Sequence, residues 1–251
     1  MTDTILTATE HGVCTVTMNR PDAMNAFVPE MLSALADAVE AASADEAVRV
    51  VVLRGAGRAF SAGVDLKVLR GMDLSRGQVS PEYDRQGARV ASAMRGSPKP
   101  VLARVHGACF TGALELALMA DAIYCTADTK FGDTHAKFGL RPSWGMSQTL
   151  PDAVGMRRAR ELSFTARTFS GTEAAAWGLA NAACEDEAAL DALVTEYASR
   201  IAANSAGAVA AIKDLFALST SGQPLSDRLE EEVRRDYPID DTMDRLAGFK
   251  A

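Results

Sequence analysis

The chain has 251 residues, of which 48% are hydrophobic and 24% charged, and its formal net charge is −7. This length supports one large domain, or a main domain with an appendage, and the composition is ordinary for a globular protein. The acidic balance provides no general attraction to nucleic acid or to anionic membranes. An anionic ligand would therefore depend on local basic side chains or backbone amides.

Targeting and redox signals are weak. Residues 1–13 show no basic stretch followed by a long apolar one, and no run of about 18 uncharged apolar residues occurs. We therefore expect neither a signal peptide nor a membrane span.

The cysteines form no C-x-x-C pair, and there are only three histidines. This favours free thiols in a reducing cytoplasm and argues against a metal site.

The N-terminal half alternates between predicted strands and helices. Residues 4–10 and 13–19 alternate apolar and polar side chains around His11-Gly12, which predicts a β-hairpin. Apolar residues at helical spacing predict a helix over 27–42. The β-branched run at 48–55 predicts a strand buried on both faces.

Another strand is predicted over 99–107, and it is followed by an apolar helix. Residues 129–145 have no clean period and predict a long structured loop. Helical patterns dominate after residue 156. We therefore expect an α/β core over residues 1–186, followed by a helical C-terminal region over residues 187–251.

Residues 50–66 and 101–116 share one pattern. Each has a strand, a glycine, a phenylalanine, Ser or Thr, a second glycine and the apolar start of a helix. A strand that returns in parallel to the same sheet needs a crossover, and the spacing between the two stretches is long enough for one.

The glycines at 55 and 57 are similar to the first two glycines of a dinucleotide-binding turn, but Phe60 occupies the position of the third glycine. An NAD site is therefore not expected.

The helix that begins near Gly112 is apolar on every side except at Glu115. A buried carboxylate without a partner is costly, so the presence of Glu115 in this apolar helix requires an explanation. With Gly112 as the N-cap, Glu115 lies in the first turn, where it could interact with the positive helix end or bond the N-cap amide, which is worth about 0.3–1 kcal/mol. Alternatively, the Gly112 N–H and Glu115 face one cavity as an oxyanion donor and an acid or base. Both interpretations stay open at this point.

The stretch 131–140 contains Asp133 and His135. Imidazole suits proton transfer near neutral pH, although an isolated histidine is more often structural. Asp133 is interpreted as a loop cap. Trp144 is interpreted as a packing residue or as part of a ligand pocket.

Three stretches occur in the order and spacing of the crotonase family, the enoyl-CoA hydratases and isomerases. They are MNRPDAMNAF at 18–27, GRAFSAGVDLK at 57–67 and GACFTGALELALMADAIY at 107–124. The segment 156–181 also resembles the family, so the resemblance covers almost the whole chain. It implies a core of ββα turns coiled into a spiral, and a helical C-terminal part that builds a homotrimer or a dimer of trimers. It also implies acyl-CoA thioesters as ligands.

The resemblance further implies two backbone N–H groups, of Val64 and Gly112, that hold the thioester oxygen as an enolate forms. The loss of one such donor costs about 3–4 kcal/mol in comparable oxyanion holes. Coenzyme A would enter as part of the substrate, with no permanently bound cofactor. The resemblance assigns coenzyme or substrate binding to Met24, Ala26, Ala62, Asp65, Leu66 and Lys67.

Glu115 matches the first of two glutamates with which typical hydratases of this family add water. The second normally follows Phe-Gly as Pro-Glu, but Thr134-His135 occupies that position here. Neutral imidazole both donates and accepts a hydrogen bond, so His135 is predicted to be the second proton-handling group. The family's glycine-rich run is altered to RPSWGMSQ at 141–148, and Trp144 is expected to narrow the acyl pocket.

These features predict an enoyl-CoA hydratase in which Glu115 activates water. Double-bond isomerisation, which needs one base, and hydrolysis or decarboxylation of a CoA thioester stay open. So does an acyl-CoA-binding protein without catalysis, because a second carboxylate is missing. We expect a cytoplasmic protein with an acyl-CoA ligand and no nucleic-acid or membrane partner.

Overall fold

The computed structural model of the protein describes residues 3–72 and 74–248. These residues form nine strands and eleven α-helices. The strands are β1 Ile5–Glu10, β2 Val13–Met18, β3 Val50–Gly55, β4 Val101–Val105, β5 Ala108–Phe110, β6 Ala122–Thr126, β7 Lys130–Gly132, β8 Phe169–Ser170 and β9 Ala182–Cys184. The helices are α1 Pro29–Ala44, α2 Leu66–Leu69, α3 Pro81–Gly96, α4 Gly112–Ala117, α5 Met146–Val154, α6 Met156–Thr165, α7 Gly171–Ala176, α8 Glu187–Ala203, α9 Ala206–Leu218, α10 Leu225–Arg234 and α11 Thr242–Ala247.

The larger sheet has the strand order β1-β2-β3-β4-β6-β9. β1 and β2 form the predicted antiparallel hairpin, and the other neighbouring strands of this sheet pair in parallel. Parallel pairing requires crossovers, and α1 and α3 supply them between β2, β3 and β4. β4 is buried at every position and β3 at all but Arg54, as expected for strands covered on both faces. The α/β prediction is confirmed.

A second sheet has the order β5-β7-β8. β7 lies inside the stretch 129–145, so the prediction of a continuous loop there is wrong at 130–132. A strand of three residues is too short to show a period of two. The two repeated turns lie against each other, because Ser61 and Cys109 form a parallel bridge between them. The repeated sequence pattern therefore marks two adjacent strand-to-helix turns.

The helix that begins the predicted C-terminal region covers the larger sheet. Leu190, Val194 and Ala198 of α8 pack with Val50 and Tyr124 of that sheet. The predicted boundary between the core and the C-terminal region, after residue 186, stays a prediction. By its packing, α8 belongs with the larger sheet. Among the described residues, no single helix has the length and apolar composition to cross a membrane. α8 and α9 together reach that composition, with a bend of 106° between them.

A charged cluster joins α8, β4 and the first repeated turn. Arg104 is 1% exposed, and its guanidinium donates to Asp191 at 2.8 Å and to Glu187 at 3.0 Å. It also lies 2.6 Å from Nδ1 of His106, whose Nε2 is 2.7 Å from the carbonyl oxygen of Gly57. Because arginine only donates and a carbonyl only accepts, His106 is neutral, with its hydrogen on Nε2.

Burial lowers the pKa of His106, and the nearby charges of Arg104 and Arg54 lower it further. The Gly57 carbonyl and Glu187 act in the opposite direction. The unfolded chain takes up a proton near the ordinary histidine pKa of about 6.5, where the native imidazole is still neutral. Native stability therefore falls as the pH drops through this range.

The substitution His106→Gln tests this assignment. Glutamine can accept from Arg104 and donate to Gly57, but it does not titrate. Between about pH 7.5 and about pH 5.5, we expect the wild type to lose stability relative to His106→Gln, as measured by urea unfolding at each pH. An identical pH dependence in the two proteins would contradict a neutral imidazole in this cluster.

Candidate active site

A cavity of about 320 Å³ lies where the two repeated turns meet residues 134–144. Much of its wall is apolar, with Leu69, Val79, Phe110 and Leu140 among the lining residues. The cavity brings together residues that are far apart in the sequence. Of those predicted to act or bind, it is lined by Ala62, Val64, Leu66, Gly112, Glu115, His135 and Trp144.

The other predicted binding residues lie beside the first turn and do not line this cavity. Asp65 caps α2 by accepting from the Lys67 amide at 3.0 Å, and it accepts from Arg20 at 3.3 Å. The carbonyl of Met24 accepts from the Ala62 amide at 2.9 Å. Ala26 is buried and accepts from the Arg20 guanidinium. Their role in coenzyme binding stays a prediction.

The two turns present a pair of backbone N–H groups. Gly63 has a φ of +84°, and a Cβ there would lie 2.6 Å from the Phe110 carbonyl oxygen and 3.5 Å from the Gly112 nitrogen. Only glycine permits this approach, which places the second turn against the first. Within the described residues, neither Val64 N–H nor Gly112 N–H donates to a protein acceptor. Two N–H groups that have no acceptor in the described part of the chain therefore border one cavity.

Glu115 is 2% exposed, and its carboxylate is anchored by distant backbone. Its Oε1 accepts from the amides of Trp144 at 2.9 Å and Met146 at 3.1 Å. Helix α4 has Thr111 as its N-cap, so Glu115 is the fourth residue of the helix and not the third. The interpretation with Gly112 as N-cap and Glu115 bonded to the N-cap amide is therefore wrong, although Glu115 does lie in the first turn of α4. The carboxylate instead binds the N-terminal end of α5, where a negative charge is favourable.

Burial raises the pKa of Glu115. The neighbouring His135 and the two backbone N–H groups oppose this rise, and the charge of Asp133 adds to it. A raised pKa makes the carboxylate a better proton acceptor. Glu115 is therefore both structurally anchored and suited to acid–base work.

His135 stands between two carboxylates. Its Nδ1 lies 2.7 Å from Oδ1 of Asp133, and its Nε2 lies 3.6 Å from Oε2 of Glu115. Asp133 does cap the loop, since it accepts the His135 backbone N–H at 3.3 Å. The cap interpretation is incomplete, because the shorter contact is with the imidazole. The spacing of two residues between Asp133 and His135 was the feature of the sequence that could have indicated this pairing.

No group of three His, Cys, Asp or Glu in residues 3–72 and 74–248 is arranged to hold a metal ion.

Trp144 is 4% exposed and forms one wall of the cavity. A Cβ at Gly112 would lie 2.6 Å from its ring, and a Cβ at Gly87 would lie 2.1 Å from it. Gly87 is inside α3, where glycine costs about 1 kcal/mol relative to alanine. The indole ring explains why glycine occurs there. Both interpretations of Trp144 therefore hold, since it packs and also lines the pocket.

Comparison with known proteins gives one consistent result. The family model described as enoyl-CoA hydratase/isomerase matches residues 8–251. A probable peroxisomal enoyl-CoA hydratase 1 of Arabidopsis thaliana is 36% identical, over 82% of this chain and 75% of that protein. A 1,2-epoxyphenylacetyl-CoA isomerase of Escherichia coli is 31% identical, over 100% of this chain and 92% of its own. A crystal structure of an enoyl-CoA hydratase/carnithine racemase from Magnetospirillum magneticum has a TM-score of 0.89 and 33% identity, and covers 99% of this chain and 93% of its own.

Proposed function

Because the chain belongs to the enoyl-CoA hydratase/isomerase family, whose members act on coenzyme A thioesters, we propose that it adds water across the double bond of a 2-enoyl-CoA. Membership of this family makes it an enzyme of the lyase and isomerase type. One observation carries the proposal of hydration. The cavity combines a buried carboxylate and a histidine that face each other with two N–H groups that bond no acceptor among the residues that the structure describes.

In this proposal the N–H groups of Val64 and Gly112, which line the cavity, receive the thioester oxygen. When water attacks Cβ, electron density moves through Cα to this oxygen and an enolate forms. Fixed donors bind the developing negative charge more strongly than they bind the neutral carbonyl, which lowers the barrier. The structure thus supports an oxyanion hole built entirely from backbone.

Glu115 and His135 supply the two proton transfers. The Glu115 carboxylate takes a proton from water as the water oxygen bonds to Cβ. Glu115 then passes this proton from Oε2 to Nε2 of His135, which are 3.6 Å apart, and His135 delivers it from Nε2 to Cα. Both side chains end in the protonation state in which they began. The two transfers balance, and no further reactant is required.

Isomerisation of a 3-enoyl-CoA is the second candidate. It moves a proton from one carbon to another and needs a single base, which Glu115 alone could provide. One of the similar proteins is also an isomerase by name. His135 favours hydration, because it places a second proton-handling group opposite Glu115.

The substitution Glu115→Gln tests the base directly. Glutamine keeps an oxygen to accept from the Trp144 and Met146 amides, so the fold should survive. We expect hydration of a short 2-enoyl-CoA, followed by absorbance and mass spectrometry, to fall by about 10²–10⁴-fold. Glu161→Gln, at an exposed glutamate paired with Arg167, is the matched control and should keep full activity.

Each other outcome contradicts part of this proposal. Full activity in Glu115→Gln would place the base elsewhere. Conversion of 3-enoyl-CoA without any hydration would make the protein an isomerase. Release of free coenzyme A would indicate a hydrolase, and tight binding of all esters without turnover would indicate a binding protein.

Trp144 sets the length of the acyl group in this proposal. In Trp144→Ala the space of the indole becomes available to the substrate, and one added methylene in an apolar pocket is worth about 1–3 kcal/mol. We expect kcat/KM for long 2-enoyl-CoA esters, relative to short ones, to rise by at least about 10-fold. Gly87→Ala, which pushes the ring toward the cavity, should shift the preference to shorter esters. An unchanged preference in both variants would show that Trp144 does not limit chain length.

We also propose that the protein is a homotrimer or a dimer of trimers. Helices α9, α10 and α11 expose a set of large apolar side chains that an oligomer would cover. Sedimentation should give the mass of three or six chains, and a monomer at micromolar concentration would contradict the proposal. The exposed side chains are Ile212, Phe216, Leu225, Leu229, Val233, Met243 and Leu246.

A further inference from the structure

His135 separates two cavities. The substrate cavity is lined by Glu115 and His135 but not by Asp133. A second cavity of about 390 Å³, bordered by α5 and α6, is lined by Asp133 and His135 but not by Glu115. The imidazole therefore lies in the wall between them, with Nε2 toward Glu115 and Nδ1 toward Asp133. Asp133 is outside the substrate cavity, so any effect on the reaction passes through His135.

Asp133 is 2% exposed and carries its charge in a buried position. Burial alone would raise its pKa, but the hydrogen bonds of His135, with the nearby Ser163 hydroxyl, outweigh that effect and hold the pKa below its ordinary value. One oxygen, Oδ1, contacts both the ring Nδ1 at 2.7 Å and the backbone N–H of His135 at 3.3 Å. Two bonds to one residue fix the carboxylate relative to the ring.

This geometry selects one tautomer of His135. An ionised carboxylate only accepts hydrogen bonds, so Nδ1 must carry a hydrogen. The opposite tautomer would place a lone pair of Nδ1 against a lone pair of Oδ1 at 2.7 Å. With Nδ1 protonated, Nε2 is the only ring nitrogen that can gain or lose a proton toward Glu115.

We propose that Asp133 is a positioning residue that holds the His135 ring in one orientation and keeps its Nδ1 protonated, so that Nε2 is the proton carrier of the reaction. This proposal rests on the proposed hydration. In each turnover Nε2 accepts the proton that Glu115 has taken from water and then delivers it to Cα. The Nδ1–H bond to Asp133 persists throughout, and Asp133 neither gains nor loses a proton.

The substitution Asp133→Asn tests the proposal, because it removes the negative charge and leaves the shape of the side chain nearly unchanged. The amide group can donate to Nδ1, which moves the hydrogen of the neutral ring to Nε2. We expect the ¹⁵N chemical shifts of His135, in the protein without substrate, to report hydrogen on Nδ1 in the wild type and on Nε2 in Asp133→Asn. With three histidines in the chain, His135→Gln assigns the signal.

The kinetic expectation is a fall in kcat of about 10²–10⁴-fold with little change in KM, because the wrong tautomer affects proton transfer and not binding. Asp133→Glu, which keeps the negative charge, should retain Nδ1–H and recover part of kcat. Asp128→Asn changes an exposed carboxylate in the same part of the chain and should alter neither the tautomer nor kcat.

Retention of Nδ1–H together with wild-type kcat in Asp133→Asn would overturn the proposal. A lower kcat with a lower melting temperature, but with the tautomer unchanged, would also overturn it, since Asp133 would then be only structural. If the tautomer moves as expected but the wild type hydrates no 2-enoyl-CoA, the assignment of the tautomer stands and the proposed hydration fails.

Discussion

The bond between the buried Glu115 carboxylate and the backbone of residues 144–146 organises the site. A carboxylate this deeply buried is stable only with partners, and the two amides that supply them are 29 and 31 residues further along the chain. The same contact brings α5 against α4, and the Trp144 ring packs against Gly112 and Gly87. It also leaves Oε2 directed toward His135.

The second constraint is the close approach of the two repeated turns. The parallel bridge between Ser61 and Cys109 and the absence of a side chain at Gly63 place Val64 and Gly112 next to each other. Gly112 is the first residue of α4, where an N–H has no partner within the helix, and Val64 precedes the N-cap of α2. Among the described residues, neither N–H donates to a protein acceptor. In the proposed reaction, charge stabilisation therefore comes from the backbone, and the side chains of the cavity remain available for proton transfer.

Much of this arrangement could be predicted from the sequence, because it depends on local patterns. The repeated turns, the buried strands and the isolated Glu115 each follow from residue type and spacing, and the family resemblance assigned roles to Val64, Gly112 and His135. The partners of Glu115 could not be predicted, since no local pattern records a contact across 29 residues. The strand β7 was missed because its three residues are too few to show a strand period. The pairing of Asp133 with the imidazole was missed although the two residues are only two apart in the sequence. Arg104 is a charged residue inside an apolar strand, and this pattern could have indicated a buried ion pair. Its partners Glu187 and Asp191 could not be predicted, because they lie far along the chain.

The central claim is that the Val64 and Gly112 amides polarise a thioester carbonyl next to the Glu115–His135 pair. The most direct test is the carbonyl stretch of a 2-enoyl-CoA bound to Glu115→Gln, recorded as a difference Raman spectrum with a ¹³C-labelled thioester. Two hydrogen bonds from backbone N–H groups should shift this band to lower frequency than in water. A band at the frequency of the free ester in water, with the ligand fully bound, would contradict the claim.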